Sequence, residues 1–173
     1  MTQDNTADVL QYDEHNKPKL PSGLNVLTIL TFIGCAFQLL GSLWSFFTAK
    51  SSYENLDKLS AQMNSDSMPG WAKSMMGDPE TMVQMITKTY ENRIPIVVLS
   101  LVAIGLCFYG AMQMRKLKKQ GFLFYTIGEL LPFLTQFLFL GAFAFSGFAM
   151  IFGTAIALLF ILLYAMQRKH LVY

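Results

Sequence analysis

Charge is nearly absent from four long stretches of this sequence. Residues 24–49, 94–114, 122–143 and 148–167 contain one charged residue between them, Glu129. Of the 173 residues, 53% are hydrophobic and 14% are charged, whereas soluble domains carry about 25% charged residues. Each stretch is long enough for a helix to cross a hydrocarbon core of about 30 Å. The scarcity of charge excludes a soluble globular enzyme and predicts an all-α fold, a polytopic four-helix transmembrane bundle.

Groups that catalysis and cofactor binding need are also scarce. The two cysteines, Cys35 and Cys107, lie in apolar stretches, where a thiol behaves as a small hydrophobe. The two histidines, His15 and His170, lie in the tails, so the bundle has neither a haem bis-histidine pair nor a zinc site. A net charge of +2 is too small to indicate nucleic acid as a partner. We expect no enzymatic activity, no cofactor and no metal.

Lysine and arginine near the helix ends predict how the chain is oriented in the membrane. Basic residues are retained on the cytoplasmic side, and the connection after the second stretch has four of them and no acid. These residues, which can also contact lipid headgroups or a partner, are Arg115, Lys116, Lys118 and Lys119. We therefore expect both termini in the cytoplasm, with polar tails over 1–23 and 168–173. The membrane domain spans 24–167 and includes an outer loop over 50–93.

The outer loop is patterned more strongly than a plain linker. Apolar residues recur at helical spacing in two segments, and the second follows Asp78-Pro79-Glu80, a typical helix start. We expect two short amphipathic helices over the outer mouth of the bundle or on the outer leaflet. Thioethers can bind Cu(I), but the loop has no histidine or cysteine, which favours a flexible apolar contact surface. The methionines concerned are Met63, Met68, Met75, Met76, Met82 and Met85.

Glu129 is the sharpest functional candidate in the sequence. An ionisable residue inside a spanning segment costs a few kcal/mol or more and by default indicates a functional site. Pro132, three residues later, removes one helical hydrogen bond and predicts a kink beside the acid. Tyr125, Glu129, Pro132 and Gln136 lie on one helical face. That face is expected to point into the bundle, because lipid would leave its polar groups unpaired.

Depth along the four predicted helices groups the polar side chains into two layers. Counting from the cytoplasmic ends at 1.5 Å per residue places one layer at roughly 21 Å. Its members are Gln38, Ser100, Gln136 and Thr154. A second layer, nearer the cytoplasm, joins Thr31, Tyr109 and Glu129. We expect hydrogen bonds between helices in each layer, each worth on the order of 0.6 kcal/mol or somewhat more.

Two interpretations of Glu129 remain open. In the first, Glu129 is a neutral, hydrogen-bonded member of the polar layer that helps the helices choose their register. In the second, it is a proton-coupling or substrate-binding acid in a small cavity beside a kinked helix. The first is favoured, because one acid without a second acid, a histidine or a buried base is a poor proton relay.

Small residues in the fourth stretch predict a helix-packing surface. Ala149, Gly153 and Ala157 have the small-xxx-small spacing that allows two helices to approach closely. The neighbour is either another helix of this bundle or a partner.

Two segments carry a resemblance to a group of known proteins. Residues 24–34 (LNVLTILTFIG) and 121–132 (GFLFYTIGELLP) resemble small, uncharacterised four-helix proteins of the bacterial inner membrane, especially in the Bacteroidota. The resemblance implies an inner-membrane location and brings no activity with it. It also implies that glutamine can replace Glu129, which favours the hydrogen-bonding interpretation.

These observations favour a non-enzymatic integral membrane protein. We expect an accessory or scaffold subunit of a larger inner-membrane complex, such as a translocon or a transporter, or a homo-oligomer in the lipid bilayer. The alternative is a small proton-coupled transporter or channel that uses Glu129.

Overall fold

The computed structural model describes residues 20–64, 69–70, 79–141 and 148–171, with side chains left out for 62–64 and 148–150. Several predictions fall outside this range. They concern the tail over 1–19, Asp78 as a helix cap, the helix end over 142–143, the end of the tail over 172–173 and the side chains of Met63, Met68, Met75, Met76 and Ala149.

The described residues form helices and no strand. In chain order the helices are α1 (Ser22–Glu54), α2 (Leu56–Asn64), α3 (Pro79–Glu91), α4 (Arg93–Arg115), α5 (Gln120–Phe139) and α6 (Phe148–Gln167), followed by a 3-10 turn over Arg168–His170. Four are long and apolar enough to span a membrane: α1, α4, α5 and a helix over Ile151–His170. Their length and composition indicate a multi-pass integral membrane protein. Relative to the predicted stretches, α1 extends beyond 49 to Glu54, and α5 ends at Phe139.

Helices α2 and α3, which lie in the predicted outer loop, adjoin the spans almost without interruption. Asn55 alone separates α1 from α2, and Asn92 alone separates α3 from α4. Helical hydrogen bonding continues across both breaks, since Leu59 N donates to Asn55 O and Ile96 N donates to Asn92 O, each at 3.0 Å. Helices α2 and α3 therefore adjoin α1 and α4 with little break in the helical hydrogen bonding, and they pack against each other.

The two breaks have the same local structure. The side-chain amide of Asn55 donates to Ser51 O at 2.8 Å, and that of Asn92 donates to Lys88 O at 3.0 Å. In both cases the same carbonyl also accepts the backbone N–H of the asparagine, at 3.1 Å and 3.0 Å respectively. An asparagine amide thus competes with the helical ladder at each junction, a known role of this side chain.

The closest helix pairing joins α4 to α5 through glycine. A Cβ added at Gly110 would lie 2.5 Å from Tyr125 N, and one added at Gly121 would lie 2.6 Å from Met114 N. The backbones approach this closely only because neither residue has a side chain. The short turn between the helices contains Leu117, which adopts a φ of 58° and is 3% exposed. Its burial offsets the strain of that conformation.

We call residues 115–119 the basic turn. Helix α6 packs on the bundle mainly through the half that lies nearest this turn. Ala157 and Tyr164 are buried at an interval of seven residues, the repeat of a helix–helix seam, and Leu171, which follows the 3-10 turn, is buried as well. A Cβ added at Gly153, nearer the other end, would meet nothing within 4 Å. Of the predicted small-residue surface, Ala157 is therefore in contact and Gly153 lies beside open space.

Candidate functional site

A polar cavity lies between the four spanning helices. Its volume is about 90 Å³. It is lined by Thr31, Gly34, Cys35 and Gln38 of α1, Cys107 of α4, Tyr125 and Glu129 of α5, and Ile156 and Phe160 of α6. Four candidates from the sequence, Thr31, Gln38, Tyr125 and Glu129, thus meet at one place.

Glu129 is half-buried in this cavity and contacts a thiol. Cys107 Sγ donates to Glu129 Oε2 at 3.6 Å and lies 3.8 Å from the carbonyl oxygen of Tyr125. A thiol is a weak donor. Within the described ranges, the ion pair found is Lys50–Glu54 on α1, so no described basic residue pairs with Glu129.

Gly128 positions this thiol. A Cβ added at Gly128 would lie 2.7 Å from Cys107 Sγ and 2.8 Å from Ala103 O. The glycine therefore makes the space in which Cys107 reaches Glu129, one residue further along α5. Helix α5 continues through Pro132, so the proline does not end the helix that carries the acid.

Thr31 and Tyr125 line the cavity on the basic-turn side, and Tyr164 contacts both of them. Thr31 Oγ1 and Tyr164 OH are hydrogen-bonded at 2.8 Å, which joins α1 to α6. The ring of Tyr164 packs against that of Tyr125, with centroids 4.5 Å apart and planes at 54°. Thr31, Tyr125 and Tyr164 are all buried. Three helices are therefore tied together directly beside Glu129.

The members of the predicted deep layer do not all meet. Gln38 is exposed and lines the cavity with Glu129. The hydroxyl of Ser100 donates to Ile96 O of its own helix at 2.8 Å. Gln136 and Thr154 are half-buried and do not line the cavity.

The predicted shallower layer differs from the structure in its residue from α4. Thr31 and Glu129 line the same cavity. Tyr109 does not join them, because it is 45% exposed, accepts a hydrogen bond from the Gln113 amide and packs edge-on against Phe124 at 5.3 Å. The residue of α4 that faces Glu129 is Cys107.

The basic turn forms the end of the α4–α5 pair. Arg115, Lys116, Lys118 and Lys119 are all exposed there. The guanidinium of Arg115 lies 6.0 Å from the ring centroid of Phe32. The turn thus presents its positive charge outward, as contact with lipid headgroups requires.

Sequence reasoning missed Cys35, Cys107, Tyr164 and Gly128 as parts of this region. A signal was present, because Ala103, Cys107, Gly110 and Met114 follow the four-three-four spacing of a helix seam. All four are buried. Among the described residues, no group of three or more histidine, cysteine or acidic side chains is placed to hold a metal ion.

Comparisons with known proteins found no match to this chain. No protein-family model, no curated protein and no solved structure matches it.

Proposed function

We propose that this chain is a non-enzymatic subunit of a larger membrane complex, in which a transmembrane helix of a partner covers the polar cavity. The observation that carries the proposal is the exposed position of Gln38, which lines the cavity of Glu129 within the spanning part of α1. An amide facing hydrocarbon leaves its donors and acceptor unpaired, which costs free energy. A covering helix with polar side chains removes that cost.

The packing of α6 supports an opening on the side of the cavity away from the basic turn. The buried residues of α6 and of the turn after it are Ala157, Tyr164 and Leu171. Between Ile151 and Ile156 no residue is buried, and a Cβ added at Gly153 would meet nothing within 4 Å. A partner helix therefore has room beside the first half of α6, at the level of Gln38 and Glu129.

The cavity also defines the chemistry of the partner. Glu129 receives a weak thiol hydrogen bond, and Gln38 offers both an amide donor and a carbonyl acceptor. An amide or hydroxyl side chain on the covering helix would form hydrogen bonds with Glu129 and Gln38. Each such bond contributes about 0.6 to 1.7 kcal/mol to association in a membrane. A basic side chain would pair with Glu129 as a carboxylate. We place the complex in the bacterial inner membrane, in accordance with the resemblance of residues 24–34 and 121–132.

A transporter or channel that moves protons through Glu129 is the second candidate. Its supporting observation is that all four spanning helices line the cavity around this acid. Against it, the other described titratable groups lining the cavity are two thiols and a tyrosine hydroxyl, none of which forms a usual relay with one acid.

Purification from the native membrane in mild detergent tests the proposal. Native mass spectrometry should recover the chain with a stoichiometric partner. Gln38→Leu and Glu129→Leu should reduce that recovery, whereas Gln136→Leu, which changes a glutamine outside the cavity lining, should leave it unchanged.

The thiols provide a second readout, because both cysteines of the chain line the cavity. Their alkylation should be slower in the complex than in the isolated chain. Recovery only as a free monomer would overturn the proposal. Proton flux through liposomes of the isolated chain, lost in Glu129→Gln, would establish the transporter instead.

A further inference from the structure

A second cleft, separate from the Glu129 cavity, runs between α1 and the α3–α4 pair. It consists of two adjoining cavities of about 320 Å³ and about 60 Å³. Both are lined by Ser45, Ala49 and Thr89. The two cavities therefore lie next to each other, the larger one beside α3 and the smaller one mainly beside α4.

The two parts of the cleft have different walls. The larger cavity has hydroxyl side chains on one side, including Ser52, and the flexible side chains of Met82 and Met85 on the other. The smaller cavity is lined further down by Phe46, Ile96 and Val97. Both cavities have hydroxyl groups in their walls, because the smaller one is also lined by Ser42 and Ser100.

Arg93 is the charged residue among those that line the cleft. It lines the smaller cavity and is half-buried, and its guanidinium carbon lies 4.8 Å from the ring centroid of Tyr90. No carboxylate in the described part of the chain is within ion-pair distance of it. A half-buried cation without a counter-ion is costly, and an anion in the cleft would offset that cost.

The position of Arg93 along α4 matches a membrane interface. Arg93 and Arg115 are the first and last residues of α4, and a helix of that length rises about 33 Å at 1.5 Å per residue. This distance is close to the hydrocarbon thickness of about 30 Å. With Arg115 at one interface, Arg93 therefore lies at the level of the lipid phosphates of the opposite leaflet.

We propose that this cleft binds one phospholipid from the leaflet opposite the basic turn. Its phosphate pairs with Arg93, its headgroup lies in the larger cavity among hydroxyls that include those of Ser52 and Thr89, and its acyl chains remain in the bilayer. A cation at the level of the lipid phosphates, next to a cavity of about 320 Å³, favours a phospholipid headgroup. A free phosphate ion would use Arg93 but leave the larger cavity empty.

Native mass spectrometry of the full chain in detergent tests the site, with phosphatidylglycerol, dioleoylglycerol and inorganic phosphate as separate probes. One phosphatidylglycerol should remain bound per chain, and retention of the other two should be much weaker. Arg93→Gln should lower retention of phosphatidylglycerol about tenfold or more. The matched control is Lys50→Gln, which removes an exposed charge near the carboxyl end of α1 and should have little effect on lipid retention.

Ser45→Leu provides an independent variant, because Ser45 lines both cavities, so that a leucine there takes up space in the cleft and leaves the charge of Arg93 in place. It should also lower lipid retention, and it carries the test where Arg93→Gln does not fold. Equal retention of phosphatidylglycerol in the native chain and in both variants would overturn the proposal. Inorganic phosphate bound as tightly as the lipid, or dioleoylglycerol retained equally well, would overturn it too.

Discussion

Thr31 and Tyr164 lie 133 residues apart in the sequence, and their hydroxyl groups are hydrogen-bonded at 2.8 Å. Both side chains are buried, and Tyr164 has no exposed surface at all. A hydrogen bond shielded from water holds its partners in one arrangement, because neither hydroxyl finds a solvent molecule as an alternative. This contact fixes the position of α6 against α1 next to the cavity.

Removing one hydroxyl of this pair should loosen α6. Tyr164→Phe keeps the ring that packs on Tyr125 and should lower the free energy of unfolding by about 0.6 to 1.7 kcal/mol. Unfolding in mixed micelles measures the change. Tyr109→Phe, at an exposed tyrosine that bonds within its own helix, is the control and should have a smaller effect. A double-mutant cycle with Thr31→Val that gave no coupling would contradict the assignment.

A methyl group in the seam between α4 and α5 should separate the two helices. Gly110→Ala places a Cβ 2.5 Å from Tyr125 N, and overpacking of this kind costs about 1 to 3 kcal/mol. Gly105→Ala is the matched control on the same helix, because a Cβ there meets nothing within 4 Å. Thermal unfolding in detergent should distinguish the two. Equal stability of both variants would show that the seam is not packed this closely.

A methyl group at Gly128 should displace Cys107 from Glu129. The added Cβ would lie 2.7 Å from the sulfur, so the thiol must leave its position 3.6 Å from Glu129 Oε2. In a Cys35→Ser background, Gly128→Ala should increase the alkylation rate of Cys107, measured by mass spectrometry. Gly34→Ala, on the α1 wall where an added Cβ meets nothing within 4 Å, should not. An unchanged rate in Gly128→Ala would argue against the observed contact.

The packing of α3 against α1 should depend on a pair of stacked rings. Tyr53 of α1 and Tyr90 of α3 stack with centroids 4.5 Å apart and planes at 10°. Tyr90→Leu should weaken the contact between α1 and α3 by about 0.5 to 1.5 kcal/mol. Hydrogen exchange should then accelerate in α3 and remain unchanged in α5. Acceleration spread equally over both helices would indicate general unfolding instead.

The positions of the spans were predictable because they depend on one property, the near absence of charge over at least 20 residues. The junctions at Asn55 and Asn92 were not. Each is a single residue at which an amide and a backbone N–H share one carbonyl. Helical periodicity continues across such a break, so the pattern of apolar residues predicted outer helices without showing that they continue the spans.

Counting depth along the helices predicted only part of the cavity lining. Depth placed Thr31 beside Glu129, and both line the cavity. For α4 it selected Tyr109, whereas Cys107 is the residue in contact. Residues two positions apart in a helix, such as Cys107 and Tyr109, differ by only about 3 Å in height but by about 200° around the helix axis. Depth along α4 therefore predicted the level of the residue that contacts Glu129, but not the helix face on which it lies. The seam through Ala103, Cys107 and Gly110 defines that face.

The glycine seam also bears on the order in which the protein is made. Helices α4 and α5 pack backbone against backbone at Gly110 and Gly121, and α6 takes no part in this contact. Because a chain is synthesised from its amino terminus, this hairpin can complete its packing before α6 leaves the ribosome. Helix α6 then joins helices that are already packed and closes one side of the cavity, next to Tyr164.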